Sequence, residues 1–449
     1  MPSDLTPHLP QLAPEAHAAR RARLADAMRA EGGGVAILPN ARTSVRNGDT
    51  EYAYRFDSHF YYLSGFREPE SILVIVAGAR EGERQDILFC RDKNPEMEIW
   101  EGFRHGPEAA REQFGFHVTH STERFDEILP DLLSDQPTAF IALGADKDFD
   151  ARVLRGIEAV RARARKGVSA PVSLHDLRPA LDGMRLIKDA HEIALMQRAA
   201  DISAAAHARA MRVTRPGLFE YQVEAELMHA FLHAGAASPA YPSIVAGGAN
   251  ACTLHYVENR SRLAAGDLLL IDAGCEFEGY ASDITRSFPV DGRFSGPQRA
   301  AYEVVLAAQL AAIDAMRPGQ PFNAAHEVAV RVITSGLVDL GLLAGDVDGL
   351  IESGAFRRFY MHSTGHWLGL DVHDVGAYRV AGASRPLQVG HVATVEPGLY
   401  IRPGEDVPEA FWNIGIRIED DVLITPDGPR VLSAAAPKTI AEIEATMHG

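Results

Sequence analysis

Four carboxylates and one imidazole, each on or beside an apolar run, are the groups in this chain best placed to do chemistry: Asp272, Asp283, His366, Glu396 and Glu419. Leu268-Leu-Leu-Ile-Asp272 reads as a buried strand that ends in a carboxylate, which is costly to desolvate unless positive charge meets it. Tyr280-Ala-Ser-Asp283-Ile-Thr-Arg-Ser-Phe288 reads as the next strand, and Gly274 and Gly279 mark a turn between the two. A hairpin would bring Asp272 and Asp283 together; a solvated hairpin with two incidental acids satisfies the same pattern. Thr394-Val-Glu396-Pro-Gly places a carboxylate at a strand end, where Pro397 restrains it to an extended backbone. A surface acid flanking a turn is the alternative. In Gly415-Ile-Arg417-Ile-Glu419-Asp420 a period of two puts Arg417 and Glu419 on one face, as a site or as a surface pair.

Three of the 18 histidines, His362, His366 and His373, fall within twelve residues. The spacing of His362 and His366 resembles a helical zinc motif, but its glutamate is missing and Gly365 and Gly369 oppose a helix. A loop entering a strand over Trp367–Val372 fits better. As a set, four carboxylates balance the charge of two divalent cations and could be buried together only with such compensation. Oxygen-rich ligation with one nitrogen favours manganese, iron or cobalt over a thiolate-type zinc site.

The elements that must position these groups fall into two parts. At 449 residues the chain exceeds the usual size of one hydrophobic core. The first third alternates short strands (34–38, 71–77, 85–90, 138–143) with polar helical stretches, including one over 150–165. A long helical pattern begins near Lys188, after prolines and glycines between Ser173 and Met184, and the boundary is placed at 178/179. Helices over 188–213, 218–234 and within 297–343, with strands at 268–272, 281–288, 367–372, 392–396 and 415–424, indicate an α+β layer fold. Gln298 to Met316 and the earlier helical pair could be copies of one unit, without enough identity to establish a repeat.

A formal net charge of −17 argues against nucleic acid or an anionic membrane as partner. The arginines of Arg152–Lys166 alternate with Val153, Leu154, Ile157 and Val160, as in an amphipathic surface helix. Met1–Met28 lacks the apolar core of a secretory signal, no run is long enough to span a membrane, and three cysteines are too few and odd for a disulfide framework. A cytoplasmic protein is expected.

At these residues the sequence resembles the pita-bread metallopeptidases, and most closely their bacterial aminopeptidase P (Xaa-Pro aminopeptidase) branch. The resemblance covers nearly the whole chain. Its motifs are Leu254-His-Tyr-Val-Glu-Asn, Ile271-Asp-Ala-Gly, Ser282-Asp-Ile-Thr-Arg, His362 to Asp374, Val395-Glu-Pro-Gly-Leu-Tyr and Gly415-Ile-Arg-Ile-Glu-Asp. Phe56 to Glu70 and Glu98-Ile-Trp-Glu-Gly-Phe resemble that branch's amino-terminal domain.

The resemblance implies a smaller α/β domain over 1–178 that serves oligomerisation and forms part of the substrate access, followed by a pita-bread catalytic domain over 179–449. It implies that Asp272 and Asp283 hold one metal, that His366 and Glu396 help hold another, and that Asp283 and Glu419 bridge them, with manganese the expected ion. A bridging water or hydroxide would attack the bond before a proline in second position. Glu396 would relay its proton and His373 would steady the oxyanion. His362 would join them at the catalytic centre and, with His255, line the pocket for the residue after the scissile bond. Arg417 and Tyr400 would orient the acids. Trp100 corresponds to a residue that reaches a neighbouring subunit's site, so a homodimer or homotetramer is expected.

A prolidase restricted to Xaa-Pro dipeptides would share all five ligands. Creatinase-like hydrolases lack the metal set, and methionine aminopeptidases usually lack so full an amino-terminal domain. A non-catalytic binding protein on this fold would characteristically have lost ligands, and none is lost here.

Overall fold

A computed structural model describes residues 13–78 and 84–449. Residues 1–12, part of the Met1–Met28 stretch considered above, lie outside that description. The chain divides into two compact units after Met184, inside the helix Arg178–Leu186.

In the first unit, strands β1 (Gly34–Pro39), β2 (Ile72–Ala77), β3 (Arg84–Cys90), β4 (Val118–Ser121), β5 (Thr138–Ile141) and β6 (Ser173–Asp176) form a six-stranded sheet in the order β4-β3-β2-β1-β5-β6. The central strands β1, β2 and β3 pair antiparallel, whereas β4, β5 and β6 join in parallel. Alternate residues Val35, Ile37, Ile72, Val74, Ile87 and Phe89 bury one sheet face against the helices α1 (Phe125–Leu133) and α2 (Lys147–Arg161). Val153, Ile157 and Val160 supply the buried stripe of α2, as expected of an amphipathic helix, but Leu154 is exposed. Arg152 and Arg163 pair across the surface with Asp126 and Asp131.

In the second unit, α3 (Ala190–Val213) starts at a capping box in which Asp189 and Glu192 satisfy each other's backbone N–H groups. The helices α4 (Glu220–His233), α5 (Gly296–Ala315) and α6 (Ala324–Asp339) follow the expected helical regions. An antiparallel three-stranded sheet runs β7 (Ile244–Gly247), β8 (Leu268–Asp272), β9 (Thr285–Pro289), with Asp272 opposite both Ile244 and Thr285. A second runs β10 (Val392–Val395), β13 (Asp420–Thr425), β14 (Gly428–Val431), while β11 (Gly398–Ile401) pairs with β12 (Ile414–Arg417).

Three strand expectations change. The stretch 281–288 is interrupted: Tyr280–Ala281 pairs with Cys275–Phe277, residues 282–284 leave the ladder, and β9 begins at Thr285. A Cβ on Gly274 would sit 1.8 Å from the Ser282 carbonyl oxygen, so glycine is what lets the two segments cross here. The stretch 415–424 breaks at Ile418 and Glu419, because its halves pair with different partners, β11 and β10. Trp367–Val372 is a loop that touches the sheet through a single bridge from Trp367 to Ala393, its apolar side chains buried together instead of alternating.

Candidate metal centre

Each change of strand direction places a ligand-type side chain. Asp272 ends β8, Asp283 occupies the interruption before β9, Glu396 follows β10, and Glu419 fills the break between β12 and β13. His366 is drawn to the same place by backbone bonds between its loop and β10: Thr394 N–H donates to the His366 carbonyl (2.9 Å) and Glu396 N–H to that of Thr364 (2.7 Å). A Cβ on Gly365 would meet the Thr394 carbonyl oxygen at 2.0 Å, so this approach also demands glycine.

Asp283, His366 and Glu419 offer ligand atoms within 4.8 Å of one another. His366 Nδ1–H donates to the Trp367 carbonyl (2.9 Å), which turns Nε2 toward Asp283 Oδ2 (3.4 Å) and Glu396 Oε1 (3.8 Å). Asp272 is linked to Asp283 through Tyr241, whose hydroxyl lies 2.6 Å from a carboxylate oxygen of each. Arg417 Nη2 donates to Asp272 (2.6 Å) and Nη1 to the Tyr400 hydroxyl (2.9 Å), which lies 2.9 Å from His362 Nε2. Thr285 donates to Glu419 (2.6 Å). The four acids, the imidazole, His255, His362, His373 and Arg417 line one cavity of 930 Å³, with apolar walls from Ile244, Leu254, Val257, Met316, Phe322 and Tyr378. Tyr400 is buried and does not line it.

The electrostatics match a cation site. Burial, reinforced by Asp283, Glu396 and Asp272, pushes the Glu419 carboxyl well above its usual range. Burial raises Asp272 despite Arg417, and raises Glu396 to about 7 despite His366 and Arg417. Burial opposes the His366 cation, yet the Asp283 and Glu396 carboxylates outweigh it and raise its pKa to about 9. Asp283 is lowered, since the His366 hydrogen bond and charge overcome burial. Protein cations thus compensate the four acids only in part. Hard divalent ions fit such a donor set of carboxylate oxygens and one imidazole.

Residues 194–426 match the model of metallopeptidase family M24, and residues 17–141 match that of the aminopeptidase P N-terminal domain. The chain is 47% identical to the Xaa-Pro aminopeptidase of Haemophilus influenzae over 90% of both chains. It is 50% identical in sequence to the Pseudomonas aeruginosa aminopeptidase PepP, whose structure superposes with a TM-score of 0.95 over 98% of this chain and 99% of that one. The chain belongs to metallopeptidase family M24, in its aminopeptidase P branch. A variant of Escherichia coli aminopeptidase P in complex with substrate is likewise similar, at 43% identity and a TM-score of 0.94 over 98% and 99% of the two chains. The mixed α/β two-domain architecture expected from sequence is that of the branch, and M24 enzymes use divalent metals.

Several residues of this M24 site were not singled out from the sequence. Tyr241 approaches from Ala240-Tyr-Pro-Ser243, about thirty residues before Asp272, with only an aromatic residue ahead of a proline as a local signal. Thr285 belongs to the quoted Asp-Ile-Thr motif, yet its hydroxyl contact with Glu419 spans more than a hundred residues. Asp421 is buried behind Asp283 and accepts its backbone N–H at 3.2 and 3.3 Å; burial raises the Asp421 carboxyl well above its usual range. One Tyr241 hydroxyl proton shared between two acids fixes how Asp272 and Asp283 face each other. Tyr241→Phe is therefore expected to weaken metal affinity by about 10- to 100-fold, as loss of a partner behind a ligand does. Metal titration should find the shift, with turnover at saturating metal much closer to that of the parent.

Proposed function

We infer that the chain is a metal-dependent aminopeptidase that hydrolyses the bond between an N-terminal residue and a following proline. The observation that carries this is the convergence of Asp272, Asp283, His366, Glu396 and Glu419 on one cavity in a chain similar, over nearly its full length, to Xaa-Pro aminopeptidases. Asp272 and Asp283 would hold one divalent ion, His366 and Glu396 the other, and Asp283 and Glu419 would serve both. The ions supply Lewis acidity at neutral pH, activating water and polarising the scissile carbonyl.

The protein's own groups do the rest. Glu396 would accept the proton released by the attacking water and pass it to the leaving nitrogen of the proline. His373 lies over His366, ring centroids 4.2 Å apart, and donates to the oxygen that becomes negative as the carbonyl carbon turns tetrahedral. His255 and His362 border the space for the proline residue. Burial and the Arg417 charge lower His362 to about 4, so it stays neutral, with Nε2 free to accept from Tyr400. Through Tyr400 and Asp272, Arg417 keeps the acids in register.

Manganese, two ions per chain, is favoured by a set dominated by carboxylate oxygen. A homodimer or homotetramer is supported by Ile99, Trp100 and Phe103, which stand 81%, 84% and 65% exposed on and beside the helix Pro95–Glu101. Three free, buried cysteines accord with a cytoplasmic setting.

The test is hydrolysis by the manganese-loaded protein of a Gly-Pro dipeptide and of a longer peptide beginning Xaa-Pro, each with and without EDTA. Chelator-sensitive release of the first residue from the longer peptide is expected. Cleavage of the dipeptide alone would make the chain a prolidase, and cleavage of neither would leave a binding protein.

A further inference from the structure

We propose that a buried ion cluster, Asp374 with Arg185 and Lys188, holds the His373 imidazole in place over His366, making these three positioning residues for the reaction. The proposal rests on the role given to His373 above.

Asp374 follows His373 directly, and its side chain is 1% exposed. Arg185 Nη2 reaches its Oδ1 at 2.5 Å and Lys188 Nζ its Oδ2 at 2.8 Å; both cations are buried as deeply. Arg185 Nη2 also lies 2.7 Å from Asp371 Oδ2, so it grips the loop at two points. The backbone closes around this anchor. Asp374 N–H donates to the Trp367 carbonyl (2.9 Å), and Gly369 N–H to that of Asp371 (3.1 Å). A Cβ on Gly369 would lie 2.2 Å from Asp374 Oδ2, so the loop is folded tightly onto the carboxylate.

The pinned pair, Trp367 and Asp374, consists of the immediate neighbours of His366 and His373. At the other end the loop is tied to the metal-centre strands: Leu368 N–H donates to the Val392 carbonyl (3.1 Å) and Ala281 N–H to that of Gly369 (2.8 Å). His373 is itself exposed to the cavity, with its ring placed by a backbone whose neighbouring side chain is locked. Stability alone does not account for the cluster, because buried ion pairs can often be exchanged for apolar groups of like volume at no loss. Charges of fixed direction hold a loop in one geometry, and catalysis is sensitive to displacements of about 1 Å.

The experiment is a double-mutant cycle between Lys188→Met and His373→Ala, reading kcat, KM and bound metal with an Xaa-Pro peptide. Lys188→Met leaves Arg185 to neutralise Asp374. In the parent it should lower kcat by roughly 10- to 100-fold with KM and metal content within a few-fold. In the His373→Ala background it should cost little more, and Lys188→Arg should restore part of the parent's rate. Parental kcat in Lys188→Met, or the same fold-loss with and without His373, overturns the proposal. A His373→Ala variant with parental turnover would instead refute the role of His373 itself. Arg185→Lys, which keeps the charge and shortens the fork, carries the same cycle should Lys188→Met fail to fold.

Discussion

Asp283→Asn is expected to abolish hydrolysis of Xaa-Pro peptides, with a loss well beyond the ~10- to 100-fold that follows removal of a group merely supporting a ligand. Asp283 occupies the centre of the cluster. Its oxygens face His366 Nε2 on one side and the Tyr241 hydroxyl on the other, within the same 4.8 Å group as Glu419. Asparagine preserves the shape and one acceptor oxygen. It loses the charge and the second anionic oxygen, and with them the ability to serve two cations at once. Elemental analysis of the purified variant should find less than the parental metal content, and peptide release should stay at background when manganese is added in excess. Near-parental activity would sink the proposed metal geometry, whatever the metal content.

Asp272 and Glu396 were legible as candidates because each ends an apolar strand close to a glycine or proline, a pattern with a direct energetic reading. Asp272 after Leu268-Leu-Leu-Ile and Glu396 before Pro397 sit where that pattern puts them. Less legible was how the strands break. Residues 415–424 read as one continuous strand, yet Glu419 N–H donates to the Thr285 carbonyl (3.1 Å) instead of continuing a ladder, which turns its carboxylate into the cavity. Asp283 likewise leaves its ladder through contacts that local sequence does not encode. Strands β4 and β6 are short and only partly buried, and lack the apolar alternation that would mark them; their parallel partners lie about thirty residues away. Tyr241, Asp421, Arg185 and Lys188 became part of the site only when distant segments met. A tyrosine before a proline, or a lysine before a helix, has no chemistry of its own until the fold supplies a carboxylate.

His373→Ala separates chemistry from metal binding, and is expected to reduce kcat by about 10²–10³-fold, the usual effect of removing one donor to a developing oxyanion. KM and metal content should stay within a few-fold of the parent, because the interaction strengthens only as the carbonyl oxygen gains charge. The geometry supports this division. His373 lines the cavity beside His366 but falls outside the compact group of Asp283, His366 and Glu419. Partial burial lowers its pKa, and an uncharged imidazole can donate one hydrogen bond without repelling a divalent cation. Glutamine, which keeps a donor near the same position, should recover part of the rate where alanine does not. Loss of metal accompanied by full turnover on reloading would place His373 among the ligands.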